Sequence, residues 1–265
     1  MSDRFEFGKN WGSFLNTMDS ERLDEAVRSL SEWLGVSDLT GKTFFDIGSG
    51  SGLFSLAARK MGATVSSFDY DNNCVKCTKE LKRRYFPDDP RWTIERGDIL
   101  DESYMSKYGE YDVVYSWGVL HHTGHMYKAL ENAGKHVKSG GSLFIAIYND
   151  QGPLSKAWTL EKKIYVSLPK PFKMLFAAVF FIVLWTVRAI EDIVQLKPFY
   201  RWKQYKKKRG MSPWHDAVDW VGGYPFEVAK PEDIFSFFHK RDFTLEKLYT
   251  CGMGNGCNQY LLKKN

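Results

Sequence analysis

Long apolar runs, cysteine and repeats are all scarce in this chain, and each scarcity excludes something. The most apolar stretch, Met174 to Val187, has fourteen residues, short of the ~20 that a membrane-crossing helix needs. The N-terminal MSDRFEFGKNWGSFL has no apolar core behind a basic start and no small-residue cleavage site, which argues against a secretory leader and makes the cytoplasm the expected compartment. Four cysteines occur in 265 residues. Cys74 and Cys77 fall in a predicted helix and Cys251 and Cys257 near the end, neither pair in a finger or ribbon context, so no metal is expected and reduced thiols are. There is no internal repeat, no low-complexity tract and no recognised nucleic-acid module.

What remains is an ordinary globular composition: 43% hydrophobic, 26% charged, mean hydropathy −0.39. The length suits one core with an insert. The net charge of +5 is unevenly spread. Residues 152–212 carry ten Lys and three Arg against two Glu and one Asp, a net of +10, which leaves −5 on the rest. A basic segment inside an acidic body points to an anionic surface or ligand, or to a solvated insert.

Leu23, Ala26, Val27, Leu30, Trp33 and Leu34 follow helical spacing between a capping Asp19 or Ser20 and a stop at Gly35. Strands at 43–48 and 63–69 then alternate with helices from Leu53 to Met61 and from Asn72 to about Tyr85. Further strands are expected at 92–95, 112–117 and 142–148, with a helix over about 125–137, so the pattern is that of parallel β-α-β units in a doubly wound sheet. A helix beginning near Pro231 and two strands, FTLEKLYTC and CNQYLLKK, close the chain. The division is therefore a lid and helix at 1–40, a core at 41–150, a basic and apolar helical insert at 151–212, and a C-terminal part of the core at 213–265.

In FFDIGSGSGLFSLAARK a buried strand runs into Gly48, Gly50 and Gly52 and then a helix. Missing Cβ atoms let backbone approach a ligand, and a helix start offers free N–H groups. Leu53 stands where a nicotinamide fingerprint wants glycine. Asp69 ends the second strand, twenty-three residues after Asp46, where a carboxylate can accept both hydroxyls of a ribose. Asp98, in ERGDIL, ends the third strand within reach of an adenine amino group, beside Ile99. The fourth strand, in YDVVYSWGVLHHTG, leads through Trp117 into a histidine-rich turn.

These elements, in this order, closely resemble class I S-adenosylmethionine-dependent methyltransferases, including the ubiquinone-type small-molecule group, strongly over 43–148 and more loosely over 231–263. The resemblance implies a Rossmann-like, seven-stranded α/β sheet with an antiparallel last strand. It also implies that Asp46 and the glycines hold the methionine end, Asp69 the ribose, and Asp98 with Ile99 the adenine. The candidate cofactor set is Trp11, Asp46, Gly48, Ser49, Gly50, Gly52, Asp69, Tyr70, Asp98, Ile99 and Trp117. Asp46 has an alternative role in fixing its loop, and Asp69 and Asp98 in capping the helices that follow.

Methyl transfer from a sulfonium is a direct displacement, so alignment dominates, and a base is needed only for a protonated acceptor. Histidine suits that task near neutrality, and the candidates are His122, His125 and His215; a turn-fixing role for each stands beside the catalytic one. Tyr148 and Asn149 are placed to touch an acceptor, and Phe7, Lys9, Asn10 and Trp11 to form a lid. The expected acceptor is a small molecule, phenolic or lipid-like, with O-methylation favoured.

The apolar run followed by RWKQYKKKR (201–209) combines a hydrophobic helix with six basic residues, two signals for an anionic membrane surface over 171–209. Packing of that helix on the body or in a dimer is the rival. Nucleic-acid modification is disfavoured because IYND stands where amino-methylating enzymes carry an NPPY-like tetrapeptide. A nicotinamide oxidoreductase is disfavoured by the glycine spacing, and a non-catalytic cofactor-binding module stays open.

Overall fold

The computed structural model describes residues 15, 18–197, 200, 213–252 and 256–265. Helix α1 (Ser20–Leu34) starts on Asp19, whose carboxylate accepts the Arg22 N–H at 2.9 Å, and stops at Gly35 in the left-handed region. Its apolar stripe buries Leu23, Ala26 and Leu30. The chain continues through β1 (Thr43–Ile47), α2 (Leu53–Lys60), β2 (Thr64–Asp69), α3 (Asn72–Tyr85), β3 (Trp92–Arg96), α4 (Glu102–Met105), β4 (Tyr111–Trp117), a 3-10 turn (Leu120–His122), α5 (Met126–Lys135) and β5 (Val137–Tyr148). Two insert helices follow, α6 (Pro153–Ser167) and α7 (Lys170–Val194), then α8 (Pro213–Gly222), α9 (Pro231–His239), β6 (Phe243–Tyr249) and β7 (Cys257–Lys264).

The seven strands form one sheet in the order β3-β2-β1-β4-β5-β7-β6. The first five are parallel, and β7 runs antiparallel to both neighbours, as the resemblance implied. Alternation along each strand divides the core. In β1, Phe44 joins Leu30, Leu56, Ala57, Leu81 and Trp92 on the face covered by α1, α2 and α3, while Phe45 and Ile47 join Leu130, Ala133, Ile234 and Phe238 on the face covered by α5 and α9. The order reverses between β1 and β4, so their carboxyl ends open a crevice at the switch point.

Several expectations move. The fifth strand begins at Val137 rather than 142, and the preceding helix ends at Lys135, because Gly140 and Gly141 permit the chain to join the ladder early. The segment around His215, for which a turn-fixing role stands beside the catalytic one, is a helix, α8. The apolar run also extends: α7 has 25 residues, about 38 Å at the usual rise, since Arg188, Glu191 and Asp192 continue the helix instead of ending it. It is long and apolar enough to cross a membrane. Only Ala177 and Asp192 are buried among its residues, so packing on the body leaves most of its apolar surface uncovered.

Candidate active site

The glycine loop between β1 and α2 is built from close approaches. Gly48, Gly50 and Gly52 all have positive φ (80°, 54° and 83°). A Cβ on Gly48 would lie 2.4 Å from Val119 Cγ1, and one on Gly52 would lie 2.8 Å from the Thr78 side chain. Only glycine lets this loop pass between the turn after β4 and helix α3. The Gly48 and Ser49 N–H groups donate to the Phe68 carbonyl at 2.9 and 3.1 Å, and the Ser49 hydroxyl lies 3.1 Å from that of Thr78. The N-cap Gly52 provides no side-chain cap, which leaves the start of α2 to an anionic group.

Asp69 ties this loop to the end of β2. Its Oδ2 accepts the Gly50 N–H at 2.9 Å and its Oδ1 the Asp71 N–H at 2.8 Å. Burial pushes the carboxyl up to about 6 against those two donors. The Cys74 thiol also bonds this carboxylate, and of the roughly four acceptor sites of a carboxylate the half-buried group retains capacity for a ribose hydroxyl. S-adenosylmethionine fits this donor and acceptor set. Tyr70 is exposed beside it, with its carbonyl accepting from Arg96 Nε at 3.2 Å.

Asp46 stands one layer further in. It is 2% exposed, its Oδ2 accepts the Ser55 hydroxyl at 2.5 Å, and burial raises it to about 7. That bond couples β1 to α2 from beneath the loop, the loop-fixing position. At the end of β3, the Asp98 carboxylate accepts the Leu100 N–H at 3.0 Å. Ile99 is 4% exposed within the core, its carbonyl held by Asn132 at 2.8 Å, so a bound ring would meet no more than its edge. Trp117 is the last residue of β4, at the end of the sheet where the crevice opens, and is 46% exposed.

Beside the fourth and fifth strand ends runs a seam whose first residues, to Glu227, belong to the aromatic and polar stretch RGMSPWHDAVDWVGGYPFE that the sequence offers as acceptor lining. After a cis peptide bond at Pro225, the chain runs across the carboxyl ends of β4 and β5. Glu227 N–H donates to the His121 carbonyl at 3.0 Å, Ala229 N–H donates to the Tyr148 carbonyl at 3.0 Å, and the Pro225 carbonyl lies 2.7 Å from His122 Nδ1. The Glu227 carboxylate accepts the Met126 N–H at the start of α5 through both oxygens, at 3.1 Å each. Tyr148 packs 4.1 Å from the His121 ring, 5.5 Å from that of His122 and 5.1 Å from that of Phe226, centre to centre.

The three histidines of this region therefore differ. His121 is wholly buried and accepts the Tyr148 N–H at Nδ1 (3.4 Å); burial pushes it well below the usual imidazole range. His122 is half-buried and held by the backbone of Pro225 and Gly223, and burial lowers it to about 4. His125 is exposed at the N-cap of α5. Asn149, expected at the acceptor, spends its amide on the Gly252 carbonyl at 2.8 Å and on Asn258 at 3.0 Å, where it fixes the β6-β7 turn. Trp11 and the rest of the expected lid, residues 201–209, and the His215 side chain lie outside the described residues.

Lys162 of α6, 1% exposed, is buried behind this seam against Trp220 and Phe226. It donates to the Trp220 carbonyl, and its ammonium sits 4.4 Å from the Trp220 ring centre and 5.0 Å from that of Phe226. Burial lowers it to about 8. In sequence it belongs to EKK on a helix and reads as part of a solvated face; only the return of α8 over α6 buries it.

A family model described as Methyltransferase domain matches residues 16–208. The chain is 37% identical over 84 residues to a ribosomal protein L11 methyltransferase of Helicobacter hepaticus, covering 31% of this chain and 25% of that protein. It is 33% identical over 105 residues to a tRNA U34 carboxymethyltransferase of Ectopseudomonas mendocina, covering 38% and 31%. The chain thus spans less than a third of the length of these curated relatives. Among solved structures, magnesium protoporphyrin IX methyltransferase from Synechocystis PCC 6803 with bound SAH has a TM-score of 0.54 at 15% identity, covering 92% of this chain and 83% of that one. An O-methyltransferase family protein from Burkholderia thailandensis has a TM-score of 0.51 at 15% identity, covering 92% and 58%. These structural likenesses are likenesses of fold.

Proposed function

The chain belongs to the Methyltransferase domain family, S-adenosylmethionine-dependent enzymes, and from that premise we propose that it methylates a small phenolic or lipid-like acceptor, at oxygen by preference, in the cytoplasm. The observation that carries the reading is the Asp69 carboxylate, bonded to the Gly50 N–H at the switch point of the sheet with acceptor capacity to spare. S-adenosylmethionine, when bound, supplies a methyl group activated by a positively charged sulfur. Asp69 receives a ribose hydroxyl, Gly48, Ser49 and Gly50 line the methionine side, and Asp98 with Tyr70 the adenine side. Asp46 and Ser55 keep the loop in register from below.

The chain's own contribution to the transfer is alignment, which is worth up to ~7–11 kcal/mol when complete. Tyr148 packs on the rings of His122 and the buried Phe226, which backs its half-buried ring as the surface for an aromatic acceptor. His122, at about 4, is neutral at pH 7; a base with that value is a weak match for proton removal at neutrality. An acceptor that ionises readily, such as a phenol, places the least demand on it.

Calorimetric titration with S-adenosylmethionine tests the reading. Asp69→Asn keeps the shape but loses the charged acceptor, and is expected to weaken binding by about 10–100-fold. Undiminished affinity in this variant, or binding of NADH in place of the sulfonium compound, would overturn it.

A further inference from the structure

We propose that helix α7 docks the enzyme on an anionic lipid bilayer by lying in the plane of the headgroup boundary, without crossing it. The first observation is an uncovered apolar stripe. Phe172, Leu175, Val179, Ile182, Ile190 and Ile193 recur at helical spacing, each more than half exposed, with Ile182 at 62%. Of the apolar window in this helix 6% is buried, so it is not the core helix of a soluble body.

The second observation is charge. Lys170 and Lys173 precede the apolar run, Arg188 follows its end, Lys197 lies just beyond the helix after Glu191 and Asp192, and residues 198–212 carry six Lys and Arg with no acid. A second copy of the chain would bring the same +10 segment against itself, so like-charge repulsion disfavours dimerisation through this face. Anionic headgroups complement it, at up to ~1 kcal/mol per basic residue near the surface. Lysine stems lie along apolar surface while the ammonium stays in water, and Tyr200, 46% exposed, has the amphipathic character of an interfacial residue.

The third observation decides between lying and crossing. Helix α8 returns against the first half of α7: Trp214 packs 5.6 Å from Phe181, and Val221 shares a buried cluster with Ala177 and Tyr165. Both α6 and α8 stand on the body's side, so a crossing helix would need a second span to come back. The chain between Lys197 and Pro213 cannot provide one, since its six basic residues exclude it from hydrocarbon, and α8 has ten residues with two aspartates. The same helix that is long enough to span is held along its first half against α6 and α8, and the chain both before and after it belongs to one side, the arrangement of a monotopic anchor.

The test uses the full chain. Flotation with phosphatidylglycerol-containing vesicles is expected to carry the protein to the lipid fraction, more weakly at raised salt, while pure phosphatidylcholine vesicles carry little. Val179→Asp with Ile182→Asp, both at exposed positions, is expected to lower the lipid-bound fraction more than about tenfold while S-adenosylmethionine binding, measured on the same samples, is unchanged. Lys170→Cys and Val194→Cys, each in a Cys251→Ser and Cys257→Ser background, are both expected to react with an impermeant maleimide added outside sealed vesicles. Absence of flotation, equal flotation of the aspartate variant, protection of one of the two cysteines, or a lipid-independent dimer that the aspartate variant dissolves would each overturn the proposal. Because cofactor binding is read separately, failure here leaves the methyltransferase reading standing, and the reverse.

Discussion

At the scale of single residues, the two aspartates of the cofactor end differ in what they touch. Asp69 faces the crevice and Asp46 faces Ser55, although both sit near the ends of adjacent strands. Ser55→Ala removes the one hydroxyl held by a buried carboxylate, and is expected to cost about 1–3 kcal/mol in denaturant unfolding at pH 8. The loss shrinks toward pH 6, as Asp46, raised to about 7, becomes protonated. The sign of the pH dependence follows from the same burial. Asp69 and Asp46 both have folded-state values above the ordinary 3.8, so between about pH 4 and 7 the native state holds protons the unfolded chain has lost. Their contribution to stability therefore rises as pH falls through that window. Affinity for S-adenosylmethionine behaves oppositely, because the ribose hydroxyl needs the ionised carboxylate. It is expected to be level above pH 7 and to fall as pH drops through about 6, by up to about tenfold per unit. Calorimetry and thermal melts over pH 5–8 check that the two trends oppose.

At the scale of elements, the loop between β1 and α2 and the turn after β4 are one packing unit. A Cβ on Gly48 would overlap Val119 at 2.4 Å, and the backbone there has φ near 80°. Gly48→Ala therefore combines a clash with backbone strain, and is expected to destabilise by more than about 2 kcal/mol. Adding Val119→Gly removes the 2.4, 2.6 and 2.9 Å contacts of the Val119 side chain and leaves the left-handed strain at position 48, on the order of 1 kcal/mol. A double-mutant cycle in chemical denaturation separates the two parts. The glycines were legible in sequence because spacing alone marks a tight strand-to-helix turn. Their partner Val119 was not, since nothing local connects residues seventy-one apart. The stretch ending at Glu227 stood out in sequence, but its partners did not: it is irregular backbone whose register is set by the His121 and Tyr148 carbonyls it meets. Asn149 lay close enough to the crevice to look like an acceptor contact, yet long-range pairing with Asn258 takes its amide.

At the scale of the whole molecule, stability is unevenly distributed. Strands β1, β4, β5 and β7 are packed between two apolar layers, whereas α7 buries two of its 25 residues. Hydrogen exchange is expected to protect the central strands most and α7 least in solution, and to slow in α7 when phosphatidylglycerol vesicles are added. Exchange in α7 that matches the sheet without lipid would show that the helix is already covered.

The sequence by itself determined the sheet and its order of elements, because alternation, helical spacing and glycine turns are local properties of the chain. It determined too the family, through motifs that lie within a few residues of strand ends. Tertiary structure decided what those motifs could not express. It set Asp46 behind the loop instead of in the crevice, buried Lys162 against Trp220 and Phe226, divided three neighbouring histidines into a core residue, a clamped one and an exposed one, and joined a fourteen-residue apolar run into a helix of 25. Each of these depends on which distant segment comes to lie alongside, and burial, hydrogen-bond partners and proton affinity are properties of that neighbourhood.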